Sequence, residues 1–220
     1  MKNKIVSLEH AMSFINDGVT MMVGGFLGVG SPHAIIDATV KKGVRNITLI
    51  TNDTGLPGSG NSKLIASKLV KKAITSHIGT NPETGKQMMA GELDVQLTPQ
   101  GTLAERIRAA GVGLGGVLTP TGIGTDVAEG KQVLTIGDKQ YLLELPLKAD
   151  VAILRGSTVD TFGNVMYNAT TQNFNKVMAM AADVVIVEAE KVVDAGELDP
   201  NCVMTPGIFV DYIVTGESSG

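Results

Sequence analysis

Short apolar runs alternate along the chain with stretches whose apolar residues recur every three or four positions. The runs predict strands at Val19–Gly24, Ile47–Thr51, Ala73–His77, Leu93–Leu97, Gln132–Ile136, Tyr141–Glu144, Ala149–Arg155, Asn164–Tyr167, Val184–Val187 and Tyr212–Val214. The amphipathic stretches predict helices at Ser7–Asn16, Pro32–Lys42, Ser62–Lys71, Thr102–Ala109 and Asn175–Ala182. This alternation points to an α/β fold with a mostly parallel central sheet flanked by helices. Runs that are apolar throughout, such as Val184–Val187, suit strands covered on both faces. The denser strand region from Gln132 to Tyr167 reads as a small antiparallel excursion, with a hairpin around Gly137-Asp138. Leu56–Ser62 (LPGSGNS) reads as a flexible surface loop. Residues 1–215 are expected to form a single domain, and 216–220 a polar C-terminal tail.

One strand-to-helix junction stands out from this pattern. After the apolar run Thr20–Val23, four glycines (Gly24, Gly25, Gly28, Gly30) crowd into seven positions, interleaved with Phe26, Leu27 and Val29. Ser31 and Pro32 follow, suited to the start of a helix. Strand, glycine loop and helix start together bring backbone N–H groups up to a bound anion or a close-lying cofactor. The glycines alone are equally consistent with a tight turn that binds nothing.

Composition narrows the function classes. With 43% hydrophobic and 18% charged residues over 220 positions, the chain can bury a sizeable core. A single cysteine, Cys202, excludes an intrachain disulfide framework and fits a reducing compartment. No signal-peptide core and no apolar run near the ~18 residues of a membrane span are visible, so a cytoplasmic protein is expected. The net charge of −4, three tyrosines, five phenylalanines and no tryptophan argue against nucleic-acid binding. Lys41-Lys42, and Lys68 with Lys71-Lys72, read as solvated helix C-termini.

Other motifs carry less. Gly111, Gly113 and Gly116 fit G-x-G-x-x-G, but they follow a helix instead of a strand, so they read as a loop closing that helix and packing close to something. His10, His33 and His77 lie in no metal-ligand spacing, and no metal site is expected. His33 could face the glycine loop or be a plain helix residue. Cys202 reads as a structural thiol. Glu105 and Arg108 can pair at i,i+3. Glu188 and Glu190 end a predicted strand, where α/β proteins place site residues. Gln100, between a strand and a helix, offers a neutral amide able to donate to a carbonyl or carboxylate oxygen.

The spacing around the glycine loop goes further: Asp17-Gly18, two residues, three apolar residues, Gly24-Gly25-Phe26, three residues, Gly30, one residue, Pro32. This resembles the small (alpha) subunit of the 3-oxoacid, or family I, CoA-transferases, with the butyrate–acetoacetate and acetate branches nearest. ITNDTG from Ile50, SHIGTNPETGK from Ser76, LTPQGTLAERIRAAGVGLGG from Leu97, Gly163-Asn164, Asn173-Phe174-Asn175 and MTPG from Met204 are similar in the same order. The resemblance implies a CoA-transferase/sugar-phosphate-isomerase-like fold. It implies CoA transfer between acetoacetyl-CoA, or another short-chain acyl-CoA, and butyrate or acetate. CoA and its esters enter as substrates, with no permanently bound cofactor. The glutamate nucleophile of the family belongs to a beta subunit in a Ser-Glu-Asn-Gly context, and no such string occurs here, so Glu188 is expected to be structural. The implied assembly is an α2β2 heterotetramer. The implied cofactor-binding residues are Gly24, Gly25, Phe26, Leu27, Gly28, Val29 and Gly30, lying against CoA, with a phosphate at the following helix start as one version. Gln100 is placed at the active-site wall. Gln172 stands where many relatives carry Arg or Lys, which weakens substrate inference. The competing reading is a stand-alone sugar-phosphate- or nucleotide-binding, isomerase-like protein on a related fold.

Overall fold

The structure, a computed structural model, describes residues 3–215. Its centre is strand β1 (Thr20–Val23), which is buried from Met21 onward. On one side of it lie β2 (Ile47–Thr51), β3 (Val70–Thr75) and β4 (Asp94–Leu97). On the other lie β8 (Ala149–Asp160), β10 (Ala182–Val193) and β11 (Tyr212–Thr215). The order β11-β10-β8-β1-β2-β3-β4 is parallel throughout, and a short strand β9 (Val165–Met166) folds back antiparallel on β8. A separate antiparallel sheet, β5-β7-β6, comprises β5 (Val117–Thr119), β6 (Val133–Ile136) and β7 (Lys139–Glu144). It bears out the hairpin expected around Gly137-Asp138, but the expected excursion from Gln132 to Tyr167 is corrected: the small sheet gains β5 upstream, and the later part of that region, β8 and β9, belongs to the main sheet.

Successive strand residues face opposite sides, so the sheet divides the core in two. Met21, Val23 and Leu49 join α1 (Leu8–Met12), α2 (His33–Lys42) and α3 (Ser62–Ala66) on one face. Met22, Ile50 and Ile74 join α5 (Gln100–Gly111) and α6 (Asn175–Met178) on the other. Among the described residues no helix is long and apolar enough to cross a membrane.

Several expectations need correction. The helix predicted over Ser62–Lys71 stops at Ala66: Lys68 turns left-handed (φ 53°) and Val70 starts β3. Lys71 and Lys72 are therefore strand residues, and Lys68 and Lys72 pair with Glu92 and Asp94. A helix α4 (Pro82–Met89) was not expected, although Asn81 caps it by accepting from Glu83 N–H and Pro82 opens it. α1 and α6 are shorter than predicted, and β8 and β10 run on for 12 residues each. Glu188 consequently lies within β10, not at its end. Gly111 and Gly116 close α5 against the chain itself: a Cβ would stand 2.6 Å from Met180 Cβ and 2.9 Å from Glu144 O. The predicted tail, 216–220, lies outside the described residues.

Candidate active site

The chain leaves β1 towards β2 in one direction and later returns to β8 on its other flank. In open α/β sheets ligands bind in the crevice at such a reversal, outside the carboxyl ends of the strands. The glycine loop occupies that place. Gly24 N–H continues the ladder to Ile153 O at 3.1 Å. Phe26 and Val29 then exchange backbone hydrogen bonds of 3.0 and 2.9 Å around Leu27 and Gly28, both at positive φ (52° and 87°). Such a turn favours glycine, and Leu27 adopts it only under restraint.

The restraint comes from three side chains on two distant segments. Asp53, 1% exposed at the end of β2, accepts from Leu27 N–H at 2.6 Å and from Gly55 N–H at 2.9 Å. Asn173 accepts from Gly25 N–H at 3.1 Å and donates to Val29 O at 3.0 Å. Asn175 donates to Gly30 O at 2.9 Å and accepts from Arg155 N–H at 3.1 Å. Side chains fill the space the glycines leave. A Cβ at Gly24 would overlap the Asn175 amide, one at Gly25 the Ser31 hydroxyl, and one at Gly30 would stand 2.6 Å from Thr171 O. Phe26 and Val29 are exposed on the outer side. The N–H groups of Gly28 and Gly30 make no hydrogen bond to the described residues.

The start of α2 does not wait for an outside anion. Glu188, buried in β10, accepts from Ile35 N–H at 3.1 Å and pairs with Arg155 Nη1 at 3.1 Å. Burial pushes its carboxyl up from the usual range, against the pull of these donors. Arg155 Nε reaches Glu190 at 2.7 Å. His33 points back at the loop, with Nε2 3.2 Å from Gly28 O, and burial and then Arg155 lower its pKa. His33 thus faces loop backbone. The expected phosphate at the helix start finds Glu188 in its place.

Gln100 opens α5, exposed at the same carboxyl edge. Its Nε2 donates to Asn52 Oδ1 at 2.9 Å. Asn52 precedes Asp53, so two residues after β2 connect the predicted glutamine to the predicted glycine loop. Gln172 is exposed in the turn before Asn173. Among the described residues no cluster of His, Cys, Asp or Glu could hold a metal ion. Reading single positions missed Asn52, Asp53, Ser76, Asn173 and Asn175 as a set. For Asn52, Asp53 and Ser76 the signal is polar residues directly following apolar strand runs, as in Thr51-Asn52-Asp53-Thr54, all four buried.

The sequence model of the family described as Coenzyme A transferase matches residues 5–216. The chain is 51% identical over 219 residues to acetate CoA-transferase subunit alpha of Escherichia coli K12, covering 100% of both. It is 53% identical over 214 residues to the acetoacetyl-CoA:acetate/butyrate CoA transferase alpha subunit of Clostridium acetobutylicum, covering 97% of this chain and 98% of that one. An acyl-CoA transferase of E. coli O157:H7, solved as a thioester complex with CoA, superimposes with a TM-score of 0.87 at 25% identity over 98% of this chain. This chain spans 50% of that longer one. Glutaconate coenzyme A-transferase of Acidaminococcus fermentans shares the fold at 20% identity, with a TM-score of 0.82 over 97% of this chain and 75% of its own.

Proposed function

The chain belongs to the coenzyme A transferase family, and from that premise we propose that it is the alpha subunit of a heteromeric enzyme moving CoA between acetoacetyl-CoA, or another short-chain acyl-CoA, and butyrate or acetate. The observation that carries this reading is end-to-end identity above one half to two alpha subunits named for these substrates. The site supports a division of labour. CoA transfer needs a carboxylate nucleophile. Glu188 is held by Arg155 and Ile35 N–H, and Asp53 by Leu27 and Gly55 N–H, so neither is free to attack. As the family resemblance implies, the nucleophile is a glutamate of a beta subunit, in an α2β2 assembly in the cytoplasm.

The chemistry proceeds by exchange at carbonyl carbons. The partner's glutamate attacks the thioester carbonyl, and CoA leaves as thiolate, giving a mixed anhydride. The thiolate attacks the glutamyl carbonyl of that anhydride, releasing the first acid and leaving a glutamyl-CoA thioester. The second acid attacks this thioester, expelling the thiolate again. The returning thiolate takes the new acyl group and frees the glutamate. Each attack places negative charge on a carbonyl oxygen, which neutral donors can stabilise without binding the ground-state acid too tightly. The glycine loop supplies a firmly held backbone surface beside CoA, with the Gly28 and Gly30 N–H groups open. Gln100 stands at the wall of the same cleft. No CoA is retained between turnovers.

The test is CoA transfer from acetoacetyl-CoA to butyrate and to acetate, by this chain alone and co-expressed with its genomic neighbour. Transfer by the pair only is the expected result. Transfer by the chain alone would refute the divided site. An inert pair that binds a sugar phosphate or nucleotide would favour a stand-alone protein.

A further inference from the structure

Asn52 is 3% exposed, between the glycine loop and Gln100. It directly follows Thr51, the last β2 residue in register with β1, at Val23. Its backbone carbonyl accepts from Ser76 N–H at 3.0 Å, Thr75 Oγ1 at 3.0 Å and Ser76 Oγ at 2.7 Å. Its side-chain Oδ1 accepts from Gln100 Nε2 at 2.9 Å and lies 2.9 Å from Ser76 Oγ, whose single proton it shares with the closer backbone carbonyl. A carboxamide has one acceptor oxygen and one donor NH2 group, on opposite arms. The Gln100 N–H on Oδ1, with the shared Ser76 proton beside it, sets the orientation of the amide and turns Nδ2 away from them.

Nδ2 makes no hydrogen bond to any described residue. Nor is it sealed in. The side-chain atoms buried without a partner among the described residues are Asn61 Oδ1, Thr80 Oγ1, Thr98 Oγ1 and Arg106 Nη1. A nearly buried asparagine therefore shows the cleft an unused donor. Once a bound substrate displaces water from the cleft, leaving such a donor unmatched is unfavourable, so the arrangement suits an acceptor on the bound acyl group. The donor is neutral and pre-oriented, the property that lets a group stabilise charge as it develops.

We propose that Asn52 Nδ2 donates to the carbonyl oxygen of the acyl group under attack, and that Gln100 and Ser76 are positioning residues that fix its orientation. The assignment rests on the CoA-transfer reading above. It also gives Gln100 a further part: one of the two N–H groups of its amide holds Asn52 in place.

The test uses the chain co-expressed with its genomic neighbour, with Asn52→Ala, Asn52→Asp, Gln100→Ala and the double variant N52A/Q100A. Asn52→Asp keeps oxygens for Gln100 and Ser76 while removing the donor, so it guards against loss of fold. Both single Asn52 variants should assemble, melt within a few degrees of the wild type and keep KM for acetoacetyl-CoA within about threefold. Their kcat should fall roughly 100-fold or more, as when an oxyanion donor is removed. Gln100→Ala should lower kcat less, and add nothing in the Asn52→Ala background. Wild-type kcat in either Asn52 variant, or a loss that follows melting temperature or KM, overturns the donor alone. A wild-type pair inert with both acids overturns the CoA-transfer reading and the donor with it.

Discussion

Two alanine substitutions separate what the glycine loop asks of backbone from what it asks of space. Gly30 (φ +72°) and Gly58 (φ +81°) both sit in the left-handed region. A Cβ at Gly58 meets nothing within 4 Å, whereas one at Gly30 stands 2.6 Å from Thr171 O and 3.1 Å from the amide nitrogens of Asn173 and Asn175. Forcing alanine into this conformation costs about 1–2 kcal/mol at either site. Gly30→Ala adds an overpacking term of about 1–3 kcal/mol, because the nearest atom is backbone and cannot rotate away. Gly58→Ala should therefore lose about 1 kcal/mol and Gly30→Ala about 3 kcal/mol. At roughly 2–4 °C per kcal/mol for a chain of this size, the melting temperatures fall by about 3 °C and 10 °C. The measurement is thermal denaturation of both variants at equal protein concentration, since assembly shifts apparent stability. Gly30→Ala should also raise KM for the acyl-CoA, because relief of the clash moves Asn173 and Asn175, which hold the loop. Equal melting temperatures would refute the claim that protein fills the space beside Gly30.

Glu188→Gln should leave CoA transfer by the co-expressed pair within a few-fold of wild type, since the glutamine can still accept from Ile35 N–H and Arg155 keeps Glu190. Complete loss in the folded pair would instead identify Glu188 as a nucleophile. Tyr167 bears on stability at high pH: burial pushes its phenol up to about 12, although its hydroxyl bonds to Thr205 Oγ1 at 2.8 Å. The folded state holds this proton longer than the unfolded chain, so the contribution is intact below pH 10 and is lost as pH rises towards 12. Denaturant unfolding across that range should show wild type losing about 2 kcal/mol more than Tyr167→Phe, and parallel profiles would count against it.

The parallel sheet was legible because its central strands carry apolar runs buried on both faces, and Ile47–Thr51 is placed as expected. Boundaries failed where polarity and structure part company. Lys71 and Lys72 continue the helical pattern of α3, yet they lie in β3, with Lys71 exposed and Lys72 paired with Asp94. α4 escaped because its apolar content is low, although Asn81-Pro82-Glu83 carries a capping signal. The glycine loop could be found from the sequence, since a chain that turns through positive φ so often advertises itself in glycine. Asn52 and Asp53 lie in ITNDTG, a motif that carries the resemblance, but no role for either could be read there. A polar pair after a strand looks like any turn, and only the folded chain shows that one holds Leu27 and the other meets Gln100. Asn173 illustrates the limit most plainly, gripping Val29 from 144 positions away.

The central place of β1 also sets an order of events. Its first neighbour, β2, follows within some thirty residues, but its other flank waits for β8, where Asp150 accepts from Thr20 N–H across 130 positions. At about 5–20 residues per second on the ribosome, that interval lasts on the order of ten seconds, far longer than local helix or turn formation needs. Through it the nascent chain carries a bare apolar strand edge able to pair with the wrong partner. Long-range parallel pairing of this kind is slow even after release. Asn173 and Asn175 emerge later still, so the glycine loop is among the last parts to reach its final shape. Newly made chains are therefore expected to depend on chaperones, or on prompt synthesis of their partner, more than the stability of the finished fold would imply.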